Sequence, residues 1–259
     1  MKKFLLFLFI FLFSQNLVSA NNTLVLETSK ISKALDYADK DTLVAFDLDN
    51  TLITGMQQLG SYVWFVEETM ALKKNGLSTH QANDLAVPCF LKLQDHLDTT
   101  LTEPNVPQVL RDLQKKGAKI VGLTARRKEL DEVTFSKIKE LDIHFDNDYL
   151  LKKDFTQPYP VKYKDGVLFA HDKNNKGVVL LEFLENIKPK HKFKKIIFVD
   201  DVMKNVENVK VAMETTDYEF IGLYYDRLNY KYGEYNHTFT ENQMKNMNIK
   251  ECNELYKNR

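Results

Sequence analysis

Asp47 and Asp49 stand one residue apart where the apolar run Leu43–Phe46 ends. A buried carboxylate is costly unless it is paired or holds a metal, and two together repel. A second acidic pair, Asp200 and Asp201, closes the run "KKIIFV". Thr124 ends a third apolar run, "AKIVGLT", and Lys176 precedes Gly177 and the amphipathic stretch "VVLLEFLENI". Lys173 competes with Lys176 for any cationic role, but the glycine and apolar helix directly after Lys176 favour the latter.

These types form one chemical set. A carboxylate such as Asp47 attacks phosphorus and forms an aspartyl-phosphate. Asp47 and Asp200 offer hard oxygen ligands for Mg²⁺. Lys176 and the Thr124 hydroxyl suit phosphoryl oxygens and the charge that develops on them. Asp49 is placed to protonate the leaving oxygen and then to activate water, and crowding by anionic neighbours is expected to raise its pKa. Arg126 either forks onto a substrate phosphate or carboxylate or pairs on the surface with Glu129 or Asp131.

Strands and helices must bring these residues together. The order reads as alternating strand and helix, which implies a mostly parallel sheet with helices on both faces. Strands are expected at Thr42–Asp47, Ala118–Thr124, Ile143–Phe145, Lys194–Asp201 and Glu219–Tyr225. Helices are expected over Val106–Lys116, Lys128–Leu141, from Asn175, and over Lys204–Thr215. Asp165-Gly166 suits a tight hairpin turn. Each candidate residue then falls at the carboxyl end of a strand or the start of a helix, where open parallel sheets bind ligands. Between the first strand and the Val106 helix lies a long helical stretch, with a capping box at Ser78 and Gln81 and a break or new start at Pro88. It reads as a cap inserted over the end of the sheet, on which Tyr62, Trp64 and Phe65 either stack on a leaving group or simply pack a small helical domain.

"DLDNT" (Asp47–Thr51), "GLTAR" (Gly122–Arg126), "NKGVVLLEFL" (Asn175–Leu184) and "FVDDVMKNV" (Phe198–Val206) resemble, in order, the four motifs of the haloacid-dehalogenase superfamily. The resemblance runs from about Thr42 to Tyr225, and "LGSYVWF" looks like exported members of unassigned substrate. It implies a Rossmann-like core and Mg²⁺-dependent phosphoryl transfer. Asp47 would be the nucleophile, and Asp49 the acid/base whose backbone carbonyl also ligates Mg²⁺. Thr124 and Lys176 would bind phosphate, and Asp200 would ligate the metal. Asp201 would join the metal's water shell or merely cap a helix, with Asn205 a partner behind the ligands.

The first twenty residues have Lys2 and Lys3, an apolar run from Phe4 to Phe13, and Val18-Ser19-Ala20. They read as a Sec-type leader cut after Ala20, the alternative being an uncleaved N-terminal anchor. Export to the periplasm or beyond, with no membrane span after cleavage, is expected. Lys+Arg and Asp+Glu are balanced at 36 each, which leaves no electrostatic case for nucleic acid. The histidines lack the spacing of a zinc site, and Cys89 and Cys252 are either a disulfide or two isolated thiols.

The expected division is a leader at 1–20, an α/β core at 21–55 and 101–259, and a helical cap at 56–100. The expected function is Mg²⁺-dependent hydrolysis of a small phosphomonoester. The alternatives are phosphoryl transfer or mutation through the same intermediate, and a non-catalytic binding protein on the same fold.

Overall fold

The computed structural model describes residues 23–151, 153–187, 191–229, 235–245, 247 and 249–258. The leader expected over 1–20 lies outside the described residues.

The sheet is built from the apolar runs. Strands β1 (Thr23–Thr28), β2 (Thr42–Phe46), β5 (Lys119–Thr124), β7 (Val167–Phe169), β8 (Lys195–Asp200) and β9 (Glu219–Tyr225) run parallel, and β6 (Lys162–Lys164) pairs antiparallel with β7. The order across the sheet is β1-β9-β8-β2-β5-β7-β6. Every residue of β2 is buried, as a central strand covered on both faces requires. One face is covered by α3 (Val106–Lys115), α4 (Asp131–Glu140) and a 3₁₀ turn at Ile31–Asp36. The other is covered by α5 (Lys176–Ile187) and α6 (Met203–Met213). The chain is therefore an α/β protein with a mostly parallel seven-stranded sheet flanked by helices. Strands run outward on both sides of β2, so the crevice at the carboxyl ends of β2, β5 and β8 is a topological switch point.

Departures from the sequence expectation have local causes. β1 is a partly exposed edge strand whose side chains are a mixture of polar and apolar, so its pattern is weak. No strand forms at Ile143–Phe145. The place beside β5 belongs to β7, and Asp146 instead takes the edge bonds of Ile120 with its own amide and carboxylate. The expected Lys128 helix is a 3₁₀ turn at Lys128–Leu130 followed by α4. The hairpin forms as expected, with Asp165 (φ 46°) and Gly166 (φ 82°) both left-handed in the turn.

A second apolar cluster stands apart from the sheet. A short ribbon, β3 (Ile53–Gly55) with β4 (Thr99–Leu101), forms its stem. From it rise α1 (Tyr62–Lys74) and α2 (Thr79–Leu93), the latter started by the Ser78–Gln81 capping box. Pro88 was expected to divide this segment, but it lies inside a continuous α2. The cluster takes more than residues 56–100, because Met244 of α7 (His237–Lys245) and Ile249, Cys252 and Leu255 in and before α8 (Lys250–Lys257) pack into it. Cys89 and Cys252 form a disulfide that pins α8 to α2. Among the described residues no helix is long and apolar enough to cross a membrane.

The bridge joins residues 163 positions apart, so it removes much freedom from the unfolded chain. Cys89→Ser/Cys252→Ser is expected to lower stability by about 3–5 kcal/mol, read as a fall in the urea midpoint. A midpoint equal to that of the oxidised wild type would refute this.

Candidate active site

β2 ends at Phe46, and Asp47 prolongs its ladder by one residue, its amide donating to the Val199 carbonyl at 2.9 Å. The chain then turns tightly. The Leu48 carbonyl accepts from the amides of Thr51, Leu52 and Ile53, and Asn50 is left-handed at φ 59°. The turn separates the two aspartates: Asp47 is buried at 5 % exposure, whereas the Asp49 side chain is 48 % exposed to the cleft.

Lys176 arrives from the start of α5. The Asn175 side chain accepts from the amides of Gly177 and Val178 and so caps the helix. The Lys176 ammonium lies 2.5 Å from Asp47 Oδ1 and 2.7 Å from Asp200 Oδ2, fully within the protein. Lys173 instead lies over the Tyr159 ring. The glycine after Lys176 has a steric cause: a Cβ there would come within 2.2 Å of the Asn208 carbonyl on α6. Close contact of α5 with α6 fixes the backbone from which Lys176 reaches inward.

Asp200 is wholly buried and accepts from Lys176, from the Val202 amide and from the Asn205 amide group. Asp201, beside it, is 7 % exposed and lines the cleft. One oxygen each of Asp47, Asp200 and Asp201 lie within 4.8 Å of one another. Thr51 ties the two acidic turns together. Its hydroxyl lies 3.3 Å from Asp47 Oδ2, to which it donates, and accepts from the Asp201 amide at 3.1 Å. Thr51 was not singled out from sequence, although a hydroxyl four residues after the first aspartate was the available signal.

The Lys176 ammonium thus contacts two buried carboxylates, Asp47 and Asp200, and a third, Asp201, lies beside them. Burial pushes the Asp47 carboxyl well above the usual range; Lys176 opposes this, and Asp200, Asp201 and Asp49 add to it. Burial works against the Lys176 charge too, but Asp200 and Asp47 more than reverse that and raise its pKa. The clustered carboxylates form an all-oxygen donor set that fits a hard divalent cation. Asp201 joins Asp47 and Asp200 with a carboxylate of its own, while the Asp49 carboxylate is turned to Arg126 and the backbone carbonyl is what Asp49 was expected to offer a metal.

Asp49 is clamped by Arg126. Nε and Nη2 donate to its two oxygens at 2.8 Å each, and Nη1 donates to the Thr134 hydroxyl. Arg126 was expected to hold substrate or to pair with Glu129 or Asp131, so its partner is a correction. So is the direction of the Asp49 pKa. Desolvation of this half-exposed group in the cleft pushes it up, but the charge and paired hydrogen bonds of Arg126 outweigh this and hold it below the usual carboxylate range. Thr124 ends β5 fully buried, with its hydroxyl accepting from the Arg126 amide; the cleft wall begins at Ala125.

The cleft has a volume of about 870 Å³ and lies between these residues and the helical unit. Tyr62 and Phe65 line it, but Trp64 does not. Trp64 is completely buried in the helical core, which overturns its reading as a substrate contact.

The chain matches the family described as "Protein of unknown function (DUF2608)" over residues 25–255. It belongs to that family. The matched stretch of this DUF2608 protein contains the whole acidic site, α1, α2 and both cysteines. It is 25 % identical over 225 residues to a protein of Chlamydia pneumoniae named "Putative outer membrane protein", covering 87 % of this chain and 84 % of that one. A protein of the same name from Chlamydia trachomatis serovar D is 22 % identical over 201 residues, covering 78 % and 75 %.

Proposed function

We propose that this DUF2608 protein is an exported, Mg²⁺-dependent phosphomonoesterase that works through an aspartyl-phosphate on Asp47. The observation that carries the reading is the buried trio Asp47, Asp200 and Asp201 with one lysine between two of them. The ion, held by these carboxylates, would neutralise phosphate charge and so let an anionic nucleophile approach. Asp47 attacks phosphorus, and the bond to the alcohol oxygen breaks. Lys176 fixes the attacking carboxylate and lies beside the charge that develops.

Asp49 serves both half-reactions. A phosphomonoester monoanion, whose second pKa is about 6, brings in the proton that Asp49 passes to the leaving oxygen. Asp49 then takes a proton from the water that attacks the aspartyl-phosphate. Arg126 favours the anionic Asp49 that this second step needs. Thr124, buried one residue behind the cleft wall, would give its hydroxyl proton to a phosphoryl oxygen only after turning from the Arg126 amide. The helical unit acts as a cap that shapes the cleft and selects the leaving group. The leader-like residues 1–20 and the names of the chlamydial relatives support a place in the cell envelope.

The test is hydrolysis of p-nitrophenyl phosphate by protein beginning at Asn21. Turnover with Mg²⁺, its loss in EDTA and its return on adding Mg²⁺ are expected. If there is no turnover and no beryllium fluoride is retained at the site, the protein is a binder and the reading falls.

A further inference from the structure

The helical wall of the cleft is apolar. Tyr62, Val63 and Phe65 come from α1, and Val87, Phe90 and Leu91 from α2. Tyr62 and Phe65 share one face of α1, and Val87, Phe90 and Leu91 share one face of α2, and both faces line the cleft. The Phe65 and Phe90 rings are 5.3 Å apart and tilted, and Tyr62 is 63 % exposed. Such a surface facing water is unfavourable until something apolar covers it.

Five polar side chains on this side are engaged within the protein. Ser61 caps α1 through the Trp64 amide, and Gln94 donates to the Gly60 carbonyl. Gln57 bonds Asp98, and Gln58 accepts from the Asn236 amide. The Lys137 ammonium donates to the carbonyls of Gln94 and Leu97. A leaving group rich in hydroxyls would have to break these bonds or leave its own unmade, at a cost for each. A volume of about 870 Å³ also greatly exceeds a phosphate and lies in the range of sites for drug-sized molecules.

We infer that the site takes phosphomonoesters of bulky apolar alcohols, aromatic ones included, and discriminates against sugar phosphates. The inference rests on the phosphatase reading for turnover, but its binding arm stands without it.

The test compares 3-phenylpropyl phosphate with glucose 6-phosphate, both esters of primary alcohols, so that intrinsic reactivity is similar. kcat/KM is expected to favour the phenylpropyl ester at least about tenfold, the scale of a small apolar contact. Tyr62→Ala, at an exposed position that does not hold the fold, and Phe90→Ala are each expected to lower kcat/KM for that ester about tenfold. Both should leave glucose 6-phosphate within about twofold. Equal values for the two esters, or preference for the sugar, would overturn the inference and leave the phosphatase reading intact. If neither is hydrolysed, calorimetry with 3-phenylpropylphosphonate decides. Binding that Tyr62→Ala weakens supports the apolar site while the catalytic reading fails; no binding overturns the inference.

Discussion

Asp47→Asn is expected to abolish turnover of p-nitrophenyl phosphate, by about a thousandfold or more, without loss of stability. The amide has nearly the same shape and keeps an oxygen to accept from Lys176, but it cannot carry the negative charge that the proposed attack on phosphorus needs. Removal of a covalent nucleophile typically costs several orders of magnitude. The stability half of the result follows from the buried charges. Asp47 has a raised pKa because its anion is desolvated and crowded by Asp200, Asp201 and Asp49, in excess of what Lys176 returns. Neutralising it relieves that crowding, so the melting temperature in EDTA should equal or exceed that of the wild type. Activity within tenfold of wild type would remove Asp47 as the nucleophile. A large fall in melting temperature would show instead that its charge is structural.

Lys176→Met has the opposite signature. Met fills the space of the lysine stem but carries no charge, so Asp47 and Asp200 lose the ammonium that both contact. Breaking a buried ion pair by removing one partner costs about 3–5 kcal/mol, since the other charges stay buried and uncompensated. Urea unfolding in EDTA should show that loss. Mg²⁺ should restore more stability to the variant than to wild type, because the ion takes over as the countercharge. Lys176→Arg should not substitute well: a planar fork cannot sit as a point charge between two buried carboxylates. A Lys176→Met protein as stable as wild type in EDTA would show that the carboxylates are protonated at rest.

Some of this was legible along the chain. The runs that became β2, β5, β8 and β9 are continuous and apolar, the pattern of strands buried on both faces. With alternating helices they fix a parallel sheet, and a parallel sheet fixes where its carboxyl ends lie. Asp47, Asp49, Lys176, Asp200 and Asp201 could be placed in one crevice because each follows or opens such an element. The hairpin at Asp165-Gly166 and the helix start at Ser78 were equally local, being set by backbone conformations and caps a few residues long.

What the sequence determined by itself, then, is the periodicity of each element and the kind of chemistry gathered at its end. Tertiary structure decided which side chains meet. Arg126 reaches Asp49 across 77 positions, and the pair reverses the direction in which the Asp49 carboxyl shifts. Cys89 finds Cys252 only because α8 folds back onto α2. Trp64 and Phe65 are neighbours in sequence, yet one is core and the other lines the cleft. Successive helical residues point about 100° apart, so the angle at which α1 lies on α2 settles which of them turns inward. Local pattern reports what a residue prefers to be near; only packing of distant segments, through burial and charge, determines what is there.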